Sequence, residues 1–190
     1  HKVYPGSPFI IQRLLRERDK LKLFELHPTD AKTLAANIAQ LDAGRQVAVL
    51  REDGFEGIKK FLPPPARRAM LLCDPSYELK SDYGRVAEMV ADTLKRFATG
   101  TYVLWYPILA RREAVELPDR LVKLGVPNWL HVTLTTQPPA TDGLGMIGSG
   151  LFVINPPWTL PQTLESTLPW LTETLGEPGC GAFTLDWQIA

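Results

Sequence analysis

The sequence predicts an open α/β sheet whose strands are mostly parallel, with an antiparallel strand at the C-terminal end. Three observations lead to this. Strand-like segments alternate with helix-like segments along most of the 190 residues. The segment "RRAMLLCDPSY" is apolar enough to be buried on both faces, which is typical of a central parallel strand. Near the end, "NWLHVTLTTQPP" and "SGLFVINPPW" are separated by a Gly-rich loop without a helical pattern, so we expect them to pair antiparallel.

The composition is that of a soluble globular chain. Apolar residues make up 45% and charged residues 22%, and Lys plus Arg equals Asp plus Glu at 21 each. A neutral total neither suggests nor excludes a nucleic-acid partner. Two cysteines and three scattered histidines predict neither a disulfide framework nor a metal site. With no membrane-length apolar run and no visible signal peptide, a cytoplasmic location without membrane attachment is expected.

The first half of the chain alternates helices and strands. "GSPFIIQRLLRERDK" predicts a helix with Ser7 as N-cap and Pro8 as its first residue. The strand "LKLFELHP" follows, and then the helix "TDAKTLAANIAQLD", with Thr29 or Asp30 as N-cap. "RQVAVLREDGF" is a second strand, and "FEGIKKFLPPP" a short helix stopped by prolines.

The second half continues this order and then departs from it. After the buried third strand, a long amphipathic helix is expected in "SDYGRVAEMVADTLKRFATG", capped by Ser81. The strand "TYVLWYP" and the mostly helical "EAVELPDRLVKLGVP" precede the antiparallel pair. A helix interrupted at Pro169 and a last strand, "AFTLDWQI", close the chain. We expect one reversed strand in the sheet.

Acidic residues follow three consecutive strands. Glu25, Asp53 and Asp74 stand at these strand ends, and the fourth strand ends in Trp105-Tyr106-Pro107. Ligands of open α/β sheets bind at the carboxyl ends of the parallel strands. Because buried carboxylates are costly without partners, we expect at least two of the three acids to line one pocket. The aromatic segment is compatible with a base-pocket wall and equally with core packing.

The chemistry open to the first two acids is that of nucleoside recognition. A carboxylate after a strand can accept both hydroxyls of a ribose, which makes Glu25 a candidate ribose ligand. Asp53 could accept an adenine amino hydrogen, while Gly54 lets the backbone come close. An Asp-Gly pair is equally the sequence of a simple turn.

The tetrapeptide Asp74-Pro75-Ser76-Tyr77 is the most specific stretch. An exocyclic adenine amine is a poor nucleophile because its lone pair is delocalised into the ring. A carboxylate and a neighbouring carbonyl can each hold one amino hydrogen and free that lone pair. Proline fixes the backbone so that the acceptors converge, and an aromatic can stack on the base. The alternative is a strand end and turn in which Tyr77 caps the core.

A second tetrapeptide, Asn155-Pro156-Pro157-Trp158, matches the same pattern of letters better. It follows a strand expected to be antiparallel, so it should lie at the opposite edge of the sheet. We interpret it as a strand exit whose prolines end the ladder and whose tryptophan packs.

Four segments together resemble a known family. They are "YPGSPFIIQRLLRERD", "LFELHPTD", "KRFATGTYVLWYP" and "GLFVINPPW". Over essentially the whole chain they are similar to the bacterial 23S ribosomal RNA adenine-N6 methyltransferases, once described as involved in catabolism of external DNA. The resemblance implies a Rossmann-like class I methyltransferase sheet, S-adenosylmethionine as methyl donor, an RNA substrate and no metal.

The resemblance also implies roles for individual residues on the donor side. It implies that Ser7 contacts the donor, that Glu25 binds the donor's ribose, and that Asp53 and Gly54 hold the donor's adenine. These four are the candidate cofactor-binding residues.

On the target side, the resemblance makes Asp74 the acceptor for the target amino group and Tyr77 the residue that stacks on the target adenine. Pro75 supplies the neighbouring carbonyl, so Asp74, Pro75 and Tyr77 are the candidate catalytic residues. The family pattern has a second proline where this chain has Ser76. We expect the serine to leave the other three groups in place.

A second departure concerns the first strand of the family's sheet. That strand, and a Gly-rich turn beneath the methionine part of the donor, have no counterpart in this sequence. We expect residues 1–190 to form a single methyltransferase domain, the C-terminal two-thirds of a longer natural protein, because a sheet without its central strand exposes unpaired backbone. As written, the chain is expected to bind the donor poorly unless another segment supplies that strand.

The target base must leave any stack it is in, so base flipping or a single-stranded segment is expected. Candidate phosphate contacts are the pairs Arg67-Arg68, Lys95-Arg96 and Arg111-Arg112, each equally compatible with a solvated surface. The preference for 23S RNA over DNA rests on the resemblance alone. The sequence leaves the target nucleotide and the oligomeric state open.

Two other functions stay open. One is a catalytically inactive, methyltransferase-like nucleic-acid-binding module, which Ser76 and the missing first strand would fit. The other is an enzyme of external DNA catabolism. A nuclease usually needs clustered acids and a divalent metal, whereas the acids here stand on separate strand ends.

Overall fold

The computed structural model describes residues 4–138 and 145–189. It divides the chain into two compact units, residues 1–61 and residues 62–190. Part of the Gly-rich loop expected between the antiparallel strands lies outside the described residues. Among the described residues, no helix has both the length and the apolar character needed to cross a membrane.

The first unit is built on two parallel strands, β1 (Leu21–Phe24) and β2 (Val47–Leu50). Its helices are α1 (Ser7–Leu14), α2 (Pro28–Ala39) and the short α3 (Gly54–Gly57), which a 3₁₀ turn over Ile58–Phe61 extends. The predicted order of elements is therefore confirmed in this unit.

The N-caps predicted from side-chain chemistry are wrong in three helices. In α1 the N-cap is Gly6 and Ser7 is already helical, and in α2 the N-cap is His27. Proline occupies an early helical position in both helices, where its preset φ favours the helical turn without a side-chain cap. In the long helix of the second unit, Leu79 takes the cap position expected for Ser81.

The second unit contains a five-stranded sheet in the order β3-β4-β6-β5-β7. Its strands are β3 (Met70–Cys73), β4 (Thr101–Ile108), β5 (Trp129–Thr135), β6 (Gly148–Ile154) and β7 (Ala182–Gln188). β3 and β4 are parallel, and β4–β6, β6–β5 and β5–β7 are antiparallel. The predicted α/β sheet with an antiparallel C-terminal strand is confirmed. Two strands are reversed instead of one, because β6 inserts antiparallel between β4 and β5 and β7 pairs antiparallel with β5.

Three helices cover this sheet: α4 (Lys80–Arg96), α5 (Arg112–Val122) and α6 (Leu160–Leu175). The predicted interruption at Pro169 is wrong, because α6 runs through it without a break. Leu168, one residue earlier, is buried in a cluster with Leu130, Val132 and Val153 of the sheet. Packing of this apolar face keeps the helix continuous despite the missing backbone donor.

β4 supplies packed side chains to both faces of the sheet. Val103 packs against the cluster around Leu168 of α6, whereas its neighbours Tyr102 and Leu104 are fully buried on the other face. The Tyr102 hydroxyl donates to the Phe97 carbonyl at 2.6 Å and lies 3.2 Å from the Thr93 carbonyl, which fixes the C-terminal end of α4 against the strand. These contacts make β4 the strand that joins the sheet to its helices.

β3 is an edge strand of this sheet within the described residues. Its burial on both faces was predicted and is wrong, because it has one neighbouring strand and leaves Met70 68% and Leu72 40% exposed. Its parallel pairing with β4 is as predicted. The position of the carboxyl end of β3 is therefore set by β4 alone.

Asn155 stands directly after β6 and connects two other segments. Its side-chain amide donates to the carbonyls of Ala98 and Gly100, each at 2.8 Å, and its backbone N–H donates to the Asn128 carbonyl at 3.0 Å. Its φ of +51° lies in the left-handed region, which asparagine tolerates better than most residues. The interpretation of this stretch as a strand exit is confirmed.

Trp158 does not pack as expected. Its side chain is 82% exposed at the entry to α6. The prolines end the hydrogen-bond ladder of β6 and Asn155 holds the end of the strand. The tryptophan ring packs little against the described residues.

Replacing Asn155 with alanine tests its structural role. The Asn155→Ala variant loses both amide hydrogen bonds and leaves two carbonyls without their donor, so we expect the free energy of unfolding to fall by about 1–3 kcal/mol. Urea unfolding followed by circular dichroism measures the change. The control is Trp158→Ala, which should stay within about 0.5 kcal/mol of the wild type because the ring is exposed. Unfolding of Asn155→Ala at the wild-type midpoint would contradict this role.

Candidate functional site

Glu25 and Asp53 lie at the same edge of the two-stranded sheet in the first unit. β1 and β2 are parallel, with Phe24 opposite Leu50, so their carboxyl ends meet at that edge. Glu25 is the first residue after β1 and Asp53 is three residues after β2. Of the three predicted strand-end acids, these two are brought to one edge, and Asp74 belongs to the second unit.

The Glu25 carboxylate is oriented by its own loop. Its Oε1 accepts a hydrogen bond from the His27 backbone N–H at 2.8 Å. The Glu25 backbone N–H donates to the Leu50 carbonyl at 3.1 Å and continues the ladder by one residue. Glu25 is half-buried, and the two hydrogen bonds fix its carboxylate beside β2.

Asp53 and Gly54 form a strand-to-helix junction. Asp53 is the N-cap of α3, and its Oδ1 accepts from the Phe55 N–H at 2.9 Å. A Cβ added at Gly54 would lie 3.1 Å from the Cβ of Phe24, so this glycine allows the junction to pack on β1. The pair is thus a helix cap, and the roles predicted for both residues toward the donor remain predictions.

Ser7 is exposed at the first residue of α1 and makes no capping hydrogen bond. The structure leaves its hydroxyl on the surface of the first unit. Its contact with a methyl donor stays a prediction.

Asp74 is the first residue after β3 in the second unit. Cys73 pairs with Leu104 in the parallel register, so the next residue on each strand places Asp74 alongside Trp105. The side chain is exposed, yet partial desolvation at the strand end raises the pKa of the Asp74 carboxyl. A carboxylate with a raised pKa is a better proton acceptor once it is ionised.

Tyr77 points into the second unit. The residue is 2% exposed, and its hydroxyl donates to the Trp105 carbonyl at 2.7 Å. Its ring centroid lies 4.6 Å from that of Tyr83 and 6.2 Å from that of Trp105. Burial of the phenol raises its pKa, so the hydroxyl acts as a hydrogen-bond donor.

The expected stacking of Tyr77 on a target adenine does not fit this conformation, because the ring is enclosed by protein. The alternative drawn from the sequence, a tyrosine that caps the core, describes its surroundings. Pro75 is half-buried and Ser76 is exposed, so the serine that replaces the family's second proline fills no packed space.

Arg111 is a residue of this site that the sequence analysis placed elsewhere. It stands at the N-cap position of α5, and its Nη1 donates to the Tyr77 carbonyl at 3.1 Å. Tyr83 is fully buried beside it, and its hydroxyl has no hydrogen-bond partner among the described residues. Burial raises the pKa of Tyr83, and the Arg111 charge opposes this. Tyr77 and Arg111 are 34 positions apart in the sequence, so no local pattern indicates this contact.

The other candidate phosphate contacts divide into two groups. Arg112 pairs with Glu116 along α5, and Arg96 pairs with Asp92 along α4. Arg67 and Arg68 are exposed. Surface pairs along a helix contribute little to stability and leave the cations accessible to solvent.

Comparison with known proteins decides the family. Residues 1–189 match the family model described as "Ribosomal RNA large subunit methyltransferase D, RlmJ". The chain belongs to this family. The resemblance inferred from the four sequence segments is therefore confirmed.

Two curated relatives are similar over nearly the whole chain. Both are named "Ribosomal RNA large subunit methyltransferase J". The protein from Escherichia coli K12 is 42% identical over 188 residues, which cover 99% of this chain and 66% of the relative. The protein from Haemophilus influenzae is 41% identical over 186 residues, which cover 98% and 65%. The chain thus spans about two thirds of the length of these relatives.

The fold is also that of a solved structure. The crystal structure of protein LPL1258 from Legionella pneumophila superimposes with a TM-score of 0.87 at 32% identity. The match covers 97% of this chain and 67% of the other. The arrangement of strands and helices described above is therefore shared with an experimental structure of a longer protein.

The raised pKa of Asp74 predicts how stability depends on pH. A carboxyl with a folded pKa above its unfolded value, near 3.8, stabilises the fold at pH below that value, and this contribution is lost as the pH rises through the folded pKa. We therefore expect the Asp74→Asn variant to gain stability relative to the wild type as the pH rises above 3.8, because only the wild-type carboxyl loses its stabilising contribution there. Urea unfolding at several pH values measures the difference.

The control for this series is Glu78→Gln, which changes an exposed carboxyl four residues further on. Its stability difference from the wild type should not grow with pH in the same way. A constant difference between Asp74→Asn and the wild type across the series would contradict the raised pKa.

Proposed function

We propose that the full-length protein methylates N6 of an adenine in 23S ribosomal RNA, with S-adenosylmethionine as donor. The observation that carries the proposal is Asp74, which stands directly after a parallel strand in the tetrapeptide Asp74-Pro75-Ser76-Tyr77, within a chain of a ribosomal RNA methyltransferase family. The relatives' names support RNA as the substrate class. Residues 1–190 are proposed to belong to one methyltransferase domain, and the protein to act in the cytoplasm.

The donor set in the first unit fits a nucleoside. Two carboxylates, from Glu25 and Asp53, stand at one edge of a parallel sheet, and each is oriented by a backbone N–H. Glu25 would hold the ribose hydroxyls, and Asp53 with Gly54 would hold the adenine of the donor. Ser7 would add a contact from the start of α1. When bound, S-adenosylmethionine would supply a methyl group on a positively charged sulfur, and the S–C bond would break with its electron pair remaining on the sulfur as a neutral thioether.

Asp74 acts on the target amino group. Its carboxylate accepts one amino hydrogen and the Pro75 carbonyl accepts the other, so the nitrogen lone pair is withdrawn from the ring and becomes available to form the new N–C bond. The methylated nitrogen then carries one proton too many. The Asp74 carboxylate takes that proton and passes it to water, a role that its raised pKa favours.

Tyr77 supports this geometry from inside the second unit. Its ring and hydroxyl hold the end of the tetrapeptide against the Trp105 carbonyl. Stacking on the target adenine would require this hydrogen bond to break. In the conformation described, positioning of Asp74 and of the Pro75 carbonyl is the contribution of Tyr77 to catalysis.

Methyl transfer to RNA tests the proposal. Full-length protein is incubated with methyl-labelled S-adenosylmethionine and protein-free 23S RNA, and nucleosides are analysed for labelled N6-methyladenosine. We expect Asp74→Asn and Asp74→Ala to lower the rate by about 10²–10⁴-fold, the range for removal of a general base. The control is Asp92→Asn, which changes an acid on the surface of α4 and should leave the rate within about twofold of the wild type.

The same assay separates the competing functions. Donor binding without transfer to RNA or DNA would indicate a methyltransferase-like binding module. Metal-dependent degradation of nucleic acid would indicate a catabolic enzyme. Label at any atom other than the adenine amino nitrogen would contradict the role given to Asp74.

Affinity for S-adenosylmethionine tests the roles proposed for the residues of the first unit. The Glu25→Gln variant keeps the shape of the side chain but loses the charge that accepts the ribose hydroxyls. Hydrogen bonds to a charged group contribute about 1.5–3 kcal/mol, so we expect the Kd for S-adenosylmethionine to rise roughly 10- to 100-fold. Isothermal titration calorimetry with the full-length protein measures it. The control Glu17→Gln, at an exposed position after α1, should bind like the wild type, and equal Kd values for Glu25→Gln and wild type would contradict the ribose assignment.

A further inference from the structure

The catalytic tetrapeptide ends in a residue that is held from two sides. Tyr77 donates its hydroxyl hydrogen to the carbonyl of Trp105, in β4, and accepts at its own carbonyl from Arg111, at the start of α5. β4 and α5 follow each other in the chain, so both ties run to one continuous segment of the fold. We propose that Arg111 is a positioning residue for methyl transfer, an inference that rests on the proposed function.

The backbone of Tyr77 needs such support. Its φ is +54°, in the left-handed region, although the residue carries a side chain. Non-glycine residues persist in this region when their surroundings fix them, and such residues cluster at functional sites. The hydrogen bond from the Tyr77 hydroxyl to Trp105 fixes the side chain, and the hydrogen bond from Arg111 fixes the Tyr77 carbonyl. Together they determine the direction in which the chain leaves the tetrapeptide.

A guanidinium suits this position better than an ammonium. Its planar fork carries five N–H donors in fixed directions, so one can serve the Tyr77 carbonyl while others face neighbouring acceptors. The Tyr83 hydroxyl is such a neighbour, since it is buried without a hydrogen-bond partner among the described residues. A lysine could reach the carbonyl but would provide a single point charge.

Arg111 acts through the loop and not on the substrate. Asp74 and the Pro75 carbonyl precede Tyr77 by three and two residues, so a shift at Tyr77 moves both acceptors of the amino hydrogens. A misplacement of about 1 Å can lower a rate roughly 100-fold without a change in binding. Loss of Arg111 should therefore lower kcat and leave the affinities for donor and RNA nearly unchanged.

The competing explanation is that Arg111 contacts an RNA phosphate. The phosphate-contact role and the positioning role change different kinetic parameters. A phosphate contact raises KM for RNA and reduces the salt dependence of binding by about one charge. A positioning role lowers kcat, and the salt dependence stays that of the wild type.

The experiment compares Arg111→Met with Arg120→Met in the full-length protein. Arg120 is exposed on the same helix and pairs with Glu116, so it matches Arg111 in charge but not in its contact with Tyr77. We expect Arg111→Met to lower kcat about 10- to 100-fold, with KM for 23S RNA and Kd for the donor within about twofold of the wild type. Arg120→Met should match the wild type in kcat, and Arg111→Lys should recover part of the loss.

Amide hydrogen exchange tests the hydrogen bond between Arg111 and the Tyr77 carbonyl without requiring methyl transfer. The peptide that contains residues 74–79 should exchange faster in Arg111→Met than in the wild type or in Arg120→Met. If Arg111→Met fails to fold, Tyr77→Phe, which removes the other tie, must show the same fall in kcat and the same faster exchange.

Three results would overturn the inference. They are an unchanged kcat in Arg111→Met, a loss confined to KM with a reduced salt dependence, and unchanged exchange of residues 74–79. If the wild-type protein transfers no methyl group, the proposed function fails, and the exchange comparison still decides whether Arg111 holds the loop.

Discussion

The parallel pairing of β3 with β4 is the constraint on which the candidate catalytic side of the second unit depends. β3 has four residues and one neighbouring strand, so its register against β4 alone fixes where the chain leaves the sheet. Asp74 follows at once, beside Trp105. β4 in turn is held by antiparallel pairing with β6 and by side chains that pack on both of its faces. The pairing with β4 therefore fixes the position of the last residue of the short strand β3.

Much of this architecture follows from patterns visible in the sequence. Alternating elements predicted the α/β class, and the rule that ligands meet the carboxyl ends of parallel strands selected Glu25, Asp53 and Asp74 before any motif was considered. The parallel pairing of β1 with β2 and of β3 with β4 agrees with that selection. These features depend on local periodicity and on chain direction, both of which a single sequence shows.

What the sequence could not show depends on contacts between distant residues. The inward position of Tyr77 results from a hydrogen bond to Trp105, 28 residues away, and from the Arg111 contact. The insertion of β6 between β4 and β5 is decided by pairing energies across the sheet, to which local patterns give no access. The early starts of α1 and α2 show a smaller effect of the same kind, since the fixed φ of proline outweighed the side-chain caps.

The two similar tetrapeptides differ in position because they follow strands that run in opposite directions. Asn155 follows a reversed strand, so its amide is used to join loops at the opposite edge from Asp74. Tyr77, in the tetrapeptide that carries the proposed chemistry, has a side chain enclosed by the fold. An aromatic residue at this place therefore contributes to packing of the protein interior, whether or not it contacts a bound base. In searches for related enzymes, a tyrosine there marks a shared scaffold as much as a shared substrate, and under the proposed mechanism the acid three residues before it is the better guide to activity.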